Sequence, residues 1–392
     1  MKIIPEIVEK HASHTTWRRH IHAHPELAYE EHRTAQFVAE KLSGFGIPIE
    51  TGIGRTGVVG TIRNGTSDRS IGLRADMDAL PMQEHNDFDH RSTNDGVMHG
   101  CGHDGHTTML LAAAEHLSTH RNFDGTVHVI FQPAEEGEAG AKAMIGDGLF
   151  ERFPVEAVYG MHNWPGHQVG KMATRSGPIM AAMDVFEVKI IGKGGHGALP
   201  QLAIDPILIA SQLVTQWQSI VSRNINPIEA AVLTVTQIHA GDAWAVIPSE
   251  VILRGTVRSF KPATRELLQH RMKQLTASIC DGNNCEFEWW YDHRFPPTIN
   301  SPTETLAAGR AASELLGQSN FDSDVDPSTG SEDFGYMLEE KPGCYIFIGN
   351  GPSEGDCLLH NPRYDFNDEI IPIGASYWVE LVKQELAVKK AP

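Results

Sequence analysis

The stretch MDVFEVKIIGKG, residues 183–194, decides how the chain is organised. Phe186, Val188 and Ile190 alternate with Glu187 and Lys189, the period of a strand with one buried face. DPILIASQLVTQWQSIVSR (205–223) then reads as a helix, with Asp205 as its N-cap and Pro206 in its first turn. AAVLTVTQIHAG (230–241) and SEVILRGTVRSF (249–260) read as strands, PATRELLQHRMKQLTASI (262–279) as a helix and CEFEWWYD (285–292) as a strand. The order is βαββαβ, a ferredoxin-like split unit over residues 183–296.

On either side of it the signals alternate differently. EHRTAQFVAEKLSGFG (31–46) is a helix closed by glycine. SIGLRADMD (70–78), GTVHVIFQPAEEG (125–137) and EAVYGMHNWP (156–165) are short apolar strands running into polar loops. DGHTTMLLAAAEHLS (104–118) has a helical apolar face, and the pattern resumes in TETLAAGRAASELLG (303–317) and GCYIFIGNG (343–351). Such alternation predicts a parallel α/β sheet. We therefore expect a discontinuous α/β domain, 1–182 and 297–392, into which 183–296 is inserted. Sheet edges in the small unit predict pairing with a second copy, giving a homodimer or higher homo-oligomer.

Bulk properties narrow the partners. The 392 residues exceed one small core. Acidic residues outnumber basic ones 50 to 32, for a formal charge of -18, which argues against nucleic acid. No apolar run approaches the roughly 18 residues of a membrane span. The start, MKIIPEIVEKHASH, lacks a signal-peptide core. Five cysteines, at 101, 280, 285, 344 and 357, suggest a reduced, cytoplasmic protein.

Ligands of open parallel sheets sit beyond the carboxyl ends of the strands. Asp76, Asp78, Glu135, Glu136, His162 and His360 all fall in or near such positions, and MHGCGHDGHTTM (98–109) adds Cys101 and His103 just before a helix. Thiolate, imidazole and carboxylate together suit Zn, Mn, Co or Ni. A structural zinc site would be closed and richer in cysteine, so this inventory is catalytic in kind. Neighbours on an extended chain point opposite ways, so one of Glu135 and Glu136 can bind metal while the other faces substrate.

The motifs WRRHIHAHPELAYEE, LRADMDALPMQE, MHGCGHDGHT, FQPAEEGEAGA, GMHNWP, GKGGHGALPQLAIDPI, GSEDFGYM and LHNPRYDF run nearly end to end. Together they resemble the metal-dependent amidohydrolases that include hippurate hydrolases, N-acyl-amino-acid aminoacylases and indole-acetyl-amino-acid hydrolases. The resemblance implies a metallopeptidase-like catalytic domain with an inserted lid that commonly dimerises. It implies two divalent ions per subunit held by Cys101, His103, Glu136, His162 and His360, with Glu135 as general base and the lid's His196 helping to hold the reacting carbonyl. The implied reaction is hydrolysis of the amide bond of N-acyl amino acids, with water activated at the two-metal centre. Asp78 and Asp104 are candidates to orient ligands. Glu332 and Asp333 either do the same or follow an N-cap at Ser331.

One departure bears on substrate. Relatives of this kind usually carry Asn just before the lid's V-I-P, and here DAWAVIPSE (242–250) has Ala245 there, with Trp244 before it. Trp244 either favours a bulky substrate or simply packs. Arg258 is a candidate partner for a substrate carboxylate. A dipeptidase or carboxypeptidase of the same chemistry is the alternative, and a non-enzymatic metal-binding or thiol-sensing protein is a third reading.

Overall fold

The computed structural model describes residues 1–352 and 357–388. The chain divides into two compact units: Met1–Ile179, Ile299–Asp326 and Asp333–Pro392 form one, and Met180–Thr298 with Pro327–Glu332 the other.

The larger unit is built on an eight-stranded sheet. Strands β1 (Ile49–Ile53), β2 (Gly57–Asn64), β3 (Ser70–Asp76), β4 (Gly125–Gln132) and β5 (Ala157–Pro165) lie in the order β1, β2, β4, β3, β5. Gly343–Gly351, Met172–Ala173 and Phe321–Asp322 complete it. The centre is parallel, with β4, β3, β5 and Gly343–Gly351 running the same way. Every residue of β3 is buried, as expected of a strand covered on both faces. The helix Ile371–Glu385 packs on both His103–Thr119 and Pro302–Leu316. Their Leu110, Ala312 and Trp378 share one core with Leu73 and Val129 of the sheet.

The smaller unit has the βαββαβ order read from the sequence. Its four strands are wholly antiparallel, arranged Ala231–His239, Glu250–Ser259, Ala182–Ile191, Glu286–Phe295. Ala182–Ile191 alternates strictly between buried and half-buried. Phe186, Val188 and Ile190 pack against Leu213, Trp217, Leu268 and Met272 of the helices Pro206–Asn224 and Pro262–Gly282. Asp205 caps the first of these, accepting from the amide of Ile207 at 2.9 Å. Asp184 is buried in the same strand face. It is satisfied by Arg265 and by the Tyr291 hydroxyl, both at 2.7 Å.

The segment Pro327–Glu332 groups with the smaller unit, where the sequence pattern had put it in the larger one. The reason is non-local pairing: the Ala181 amide donates to the carbonyls of Ser328 and Gly330, and Arg258 to the Ser331 hydroxyl. No helix among the described residues is long and apolar enough to cross a membrane.

Candidate metal centre and active site

The polar loops meet beyond the carboxyl ends of the parallel strands, all within the larger unit. His103 opens the helix His103–Thr119, directly after Gly102, whose φ is +97°. A side chain at 102 is excluded twice. The backbone is left-handed, and a Cβ would lie 2.3 Å from Oδ1 of Asn163. Close approach at Gly102 is what seats Cys101 and His103 against β5.

Three groups of ligand atoms gather there, each with its members within 4.8 Å of one another: Cys101, His103 and His162; Cys101, Glu136 and His360; His103, Glu135 and Glu136. Cys101 Sγ is 3.4 Å from Nε2 of His162, and Nε2 of His360 is 3.4 Å from Oε1 of Glu136. The structure thus brings together Cys101, His103, Glu135, Glu136, His162 and His360.

The donor set fits a cation on two grounds. First, both buried imidazoles are oriented from behind. Nδ1 of His103 donates to the Asp78 carbonyl at 2.9 Å, and Nδ1 of His162 to the Asn163 carbonyl at 2.6 Å, so each turns Nε2 inward. Nε2 of His103 and Oε1 of Glu136 are buried without a hydrogen-bond partner, a costly state unless an ion supplies the missing contact. Second, the field is right. Burial works against a charged His103, yet Asp76, Asp78 and Glu136 outweigh it and push its pKa up to about 10. The field that retains a proton there also attracts a metal cation in its place. Burial, reinforced by His106, lowers the pKa of His162 and keeps that ring neutral, as ligation requires.

Asp78 serves two ligands. Its Oδ1 lies 3.2 Å from Nδ1 of His103, and its Oδ2 accepts from the backbone amide of Glu136 at 2.9 Å. Asp104 does something else. One residue along the helix from His103, it turns away to His22 at 2.8 Å and to Arg18 at 3.5 Å. Its carboxyl is buried, and these cations with His99 hold it well below the usual carboxylate range. Asp104, a candidate from the sequence to orient ligands, has its side-chain hydrogen bonds to His22 and Arg18.

Of the positioning groups, His106 escaped the sequence reading, while Asp333 was among its candidates to orient ligands. His106 bonds Asp76 at 2.6 Å and Asn163 at 2.7 Å; its spacing of three from His103 on one helix was the available signal. Asp333 accepts from Arg74, Gln132 and the Ala141 amide, and its own amide donates to Oε1 of Glu135 at 3.3 Å. Ser331 caps no helix, since the next begins at Gly335. Of the six positive-φ non-glycine residues among the described residues, five border this centre: Tyr29, Arg55, Ala134, Ala139 and His360. Tyr29 donates to the Glu138 carbonyl at 2.9 Å, and Arg55 lies over its ring at 4.1 Å.

A cavity of about 470 Å³ opens beside Glu136, walled by Leu27, Tyr29, Arg55, Pro81 and Glu138. A larger cleft of about 920 Å³, lined by Leu306, Arg310 and Phe321, contains none of the expected site residues.

The remaining candidates belong to the smaller unit. His196 sits on a two-stranded ribbon, paired with Val246, and its Nδ1 accepts from the Ala198 amide at 3.1 Å. Ala245 is its neighbour, taking a hydrogen bond from Gly197 at 2.8 Å. Trp244 is fully exposed, so packing within its own unit does not explain it. Arg258 is half-buried, and burial lowers its pKa.

A parallel sheet whose strand ends converge on this donor set has counterparts. The model of "Peptidase family M20/M25/M40" matches residues 72–384. The chain belongs to that family. It is 42% identical to a hippurate hydrolase of Campylobacter jejuni over 98% of this chain and 100% of that one. It is 40% identical to an N-acetyl-L-cysteine deacetylase of Bacillus subtilis, over 92% and 85%. Among solved structures it resembles a dinuclear metal-binding M20 peptidase of Bacillus subtilis, with a TM-score of 0.84 and 33% identity over 97% and 99% of the chains. This M20 member is an amidohydrolase with a centre for divalent metal.

Proposed function

We propose that the protein hydrolyses the amide bond of N-acyl amino acids, hippurate-like or N-acetyl-amino-acid-like, at a centre of two ions held by Cys101, His103, Glu136, His162 and His360. The observation that carries this is the division within Glu135–Glu136. Oε1 of Glu136 is buried beside the imidazole of His360 without a hydrogen-bond partner, while Glu135 is steadied by the Asp333 amide. When bound, divalent ions such as Zn, Mn, Co or Ni polarise a water and the scissile carbonyl. Glu135 takes the proton from the attacking water and returns it to the leaving amine nitrogen. His196 donates to the oxygen that gains charge, and Arg258 and Trp244 contact the amino-acid part of the substrate. The cavity bordered by Tyr29 and Arg55 receives the acyl group.

In this reading the smaller unit is a lid that also dimerises. Ala231–His239 supports this as an open sheet edge carrying exposed Val232 and Ile238. Light scattering should give the mass of a dimer.

The test of function is a panel of N-benzoyl and N-acetyl amino acids beside dipeptides, before and after chelation and on adding back single metals. Acyl amino acids should turn over fastest, and only with metal. Faster cleavage of dipeptides or longer peptides favours the carboxypeptidase reading, which has its own support in 37% identity to a thermostable carboxypeptidase of Saccharolobus solfataricus.

A further inference from the structure

Two of the five cysteines lie far from the centre in sequence, and the smaller unit places them together. The helix Pro262–Gly282 ends with Asn283 as its C-cap, and Asn284 follows at φ +53°. The Cys285 amide donates to the Cys280 carbonyl at 3.0 Å, and the Asn284 amide to the Asp281 carbonyl at 3.1 Å. These are the paired six-to-one and five-to-two bonds of a Schellman motif, with asparagine in the left-handed position. That motif brings the residue three before its cap against the residue two beyond it, in the contact an apolar pair usually makes. Here both places are cysteine.

We propose that Cys280 and Cys285 form a thiol–disulfide site that reacts with small-molecule disulfides. The backbone bond joining the two residues keeps their Cα atoms under about 7 Å apart on bond lengths alone, within the limit for a bridge. Both thiols are free; Cys280 belongs to the core of this unit and Cys285 packs against it. Cys280 is fully buried and Cys285 partly exposed, which sets the order of events.

Cys285 loses its proton to solvent, and its thiolate attacks one sulfur of the small disulfide. A mixed disulfide forms and one small thiolate leaves. Cys280 then gives up its proton, and its sulfur attacks the Cys285 sulfur, expelling the second small thiolate. Two cysteine thiols and one disulfide become one protein disulfide and two small thiols. Burial pushes the Cys280 thiol up to about 12 and raises Cys285 too, although the neighbouring Cys280 hydrogen bond works to lower Cys285. The first step should therefore accelerate about tenfold per pH unit through the neutral range. The product ties the last turn of the helix to the start of the strand Glu286–Phe295.

The test uses the full native chain with glutathione disulfide. Remaining thiols are then alkylated and the protein is mapped by mass spectrometry without reduction. The expected product is a 280–285 cross-link lacking two hydrogens, formed faster at higher pH. Cys280→Ala, lacking the resolving thiol, should instead accumulate a glutathione adduct on Cys285. A wild-type protein that keeps that adduct overturns the proposal, as does one in which both cysteines remain alkylatable once denatured. Because the readout is the cross-link and not turnover, the outcome is independent of the metal centre.

Discussion

Asp78 accepts the backbone amide of Glu136 on one carboxylate oxygen at 2.9 Å, while its other oxygen lies 3.2 Å from His103. One short side chain therefore sets the direction of two candidate ligands, one at the start of the helix His103–Thr119 and one in the loop after β4. Asp78→Asn presents an N–H where one of these donors must be received. We expect a folded protein whose metal affinity falls 10- to 100-fold, in the range for loss of an outer-shell partner. Metal titration by calorimetry measures it, and an unchanged affinity would remove Asp78 from this role.

Glu135→Gln and Glu136→Gln should fail differently. Glu135→Gln retains shape and hydrogen bonding but cannot take a proton, so it should hold metal normally and lose at least about 100-fold in kcat. Glu136→Gln removes an anionic ligand and should be metal-poor, with partial recovery at high metal concentration. Metal analysis beside initial rates separates them, and a metal-poor Glu135→Gln would reverse the assignment.

His196→Ala should leave metal content intact and lower kcat by about 100- to 1,000-fold, the scale for losing one oxyanion donor. If dimerisation lets His196 serve the second subunit, mixing His196→Ala with Glu135→Gln protein should restore part of the activity. Wild-type turnover in His196→Ala would end this part of the mechanism.

The pair His22–Asp104 predicts a pH dependence of stability. Burial lowers the pKa of His22, but hydrogen bonds to Asp104 and Glu84 outweigh it and push the value up to about 9. A raised folded value means the stabilisation is fully present below the unfolded value near 6.5 and disappears as pH rises through 9. Its size at full effect is roughly 3 kcal/mol, at about 1.4 kcal/mol per pKa unit. Asp104 is depressed, so its share is present at neutral pH and fades only in acid. Urea midpoints from pH 6 to 10 should fall for the wild type and be flatter for His22→Gln. Parallel curves would show that His22 is not the group responsible.

Much of the centre was legible because strand ends in a parallel sheet converge, so Cys101, Glu136 and His162 needed only the order of elements to be brought together. The alternation at 183–194 likewise specified a one-faced strand, since a shift by one residue would have buried Glu187 and Lys189. Asp104 and Asp333 were harder to assign. Side-chain direction at a helix start depends on φ and ψ at Gly102, and Asp333 acts through Arg74 and Gln132, which are both more than 200 residues away in the chain. Pro327–Glu332 carries no periodic pattern of its own, and non-local hydrogen bonds with Ala181 and Arg258 tie it to the smaller unit.

The five left-handed residues around the centre bear on attempts to harden this protein against heat. Tyr29, Arg55, Ala134, Ala139 and His360 each hold a backbone shape that side chains disfavour by about 1–2 kcal/mol. Glycine at Arg55 or Ala139 would relieve that strain, and an unguided screen for thermal tolerance would collect such changes. The same loops aim Glu135, Glu136 and His360. Heat-resistant variants gathered here should therefore tend to be slower catalysts, while substitutions in the helices around Trp378 can raise the melting point without that loss.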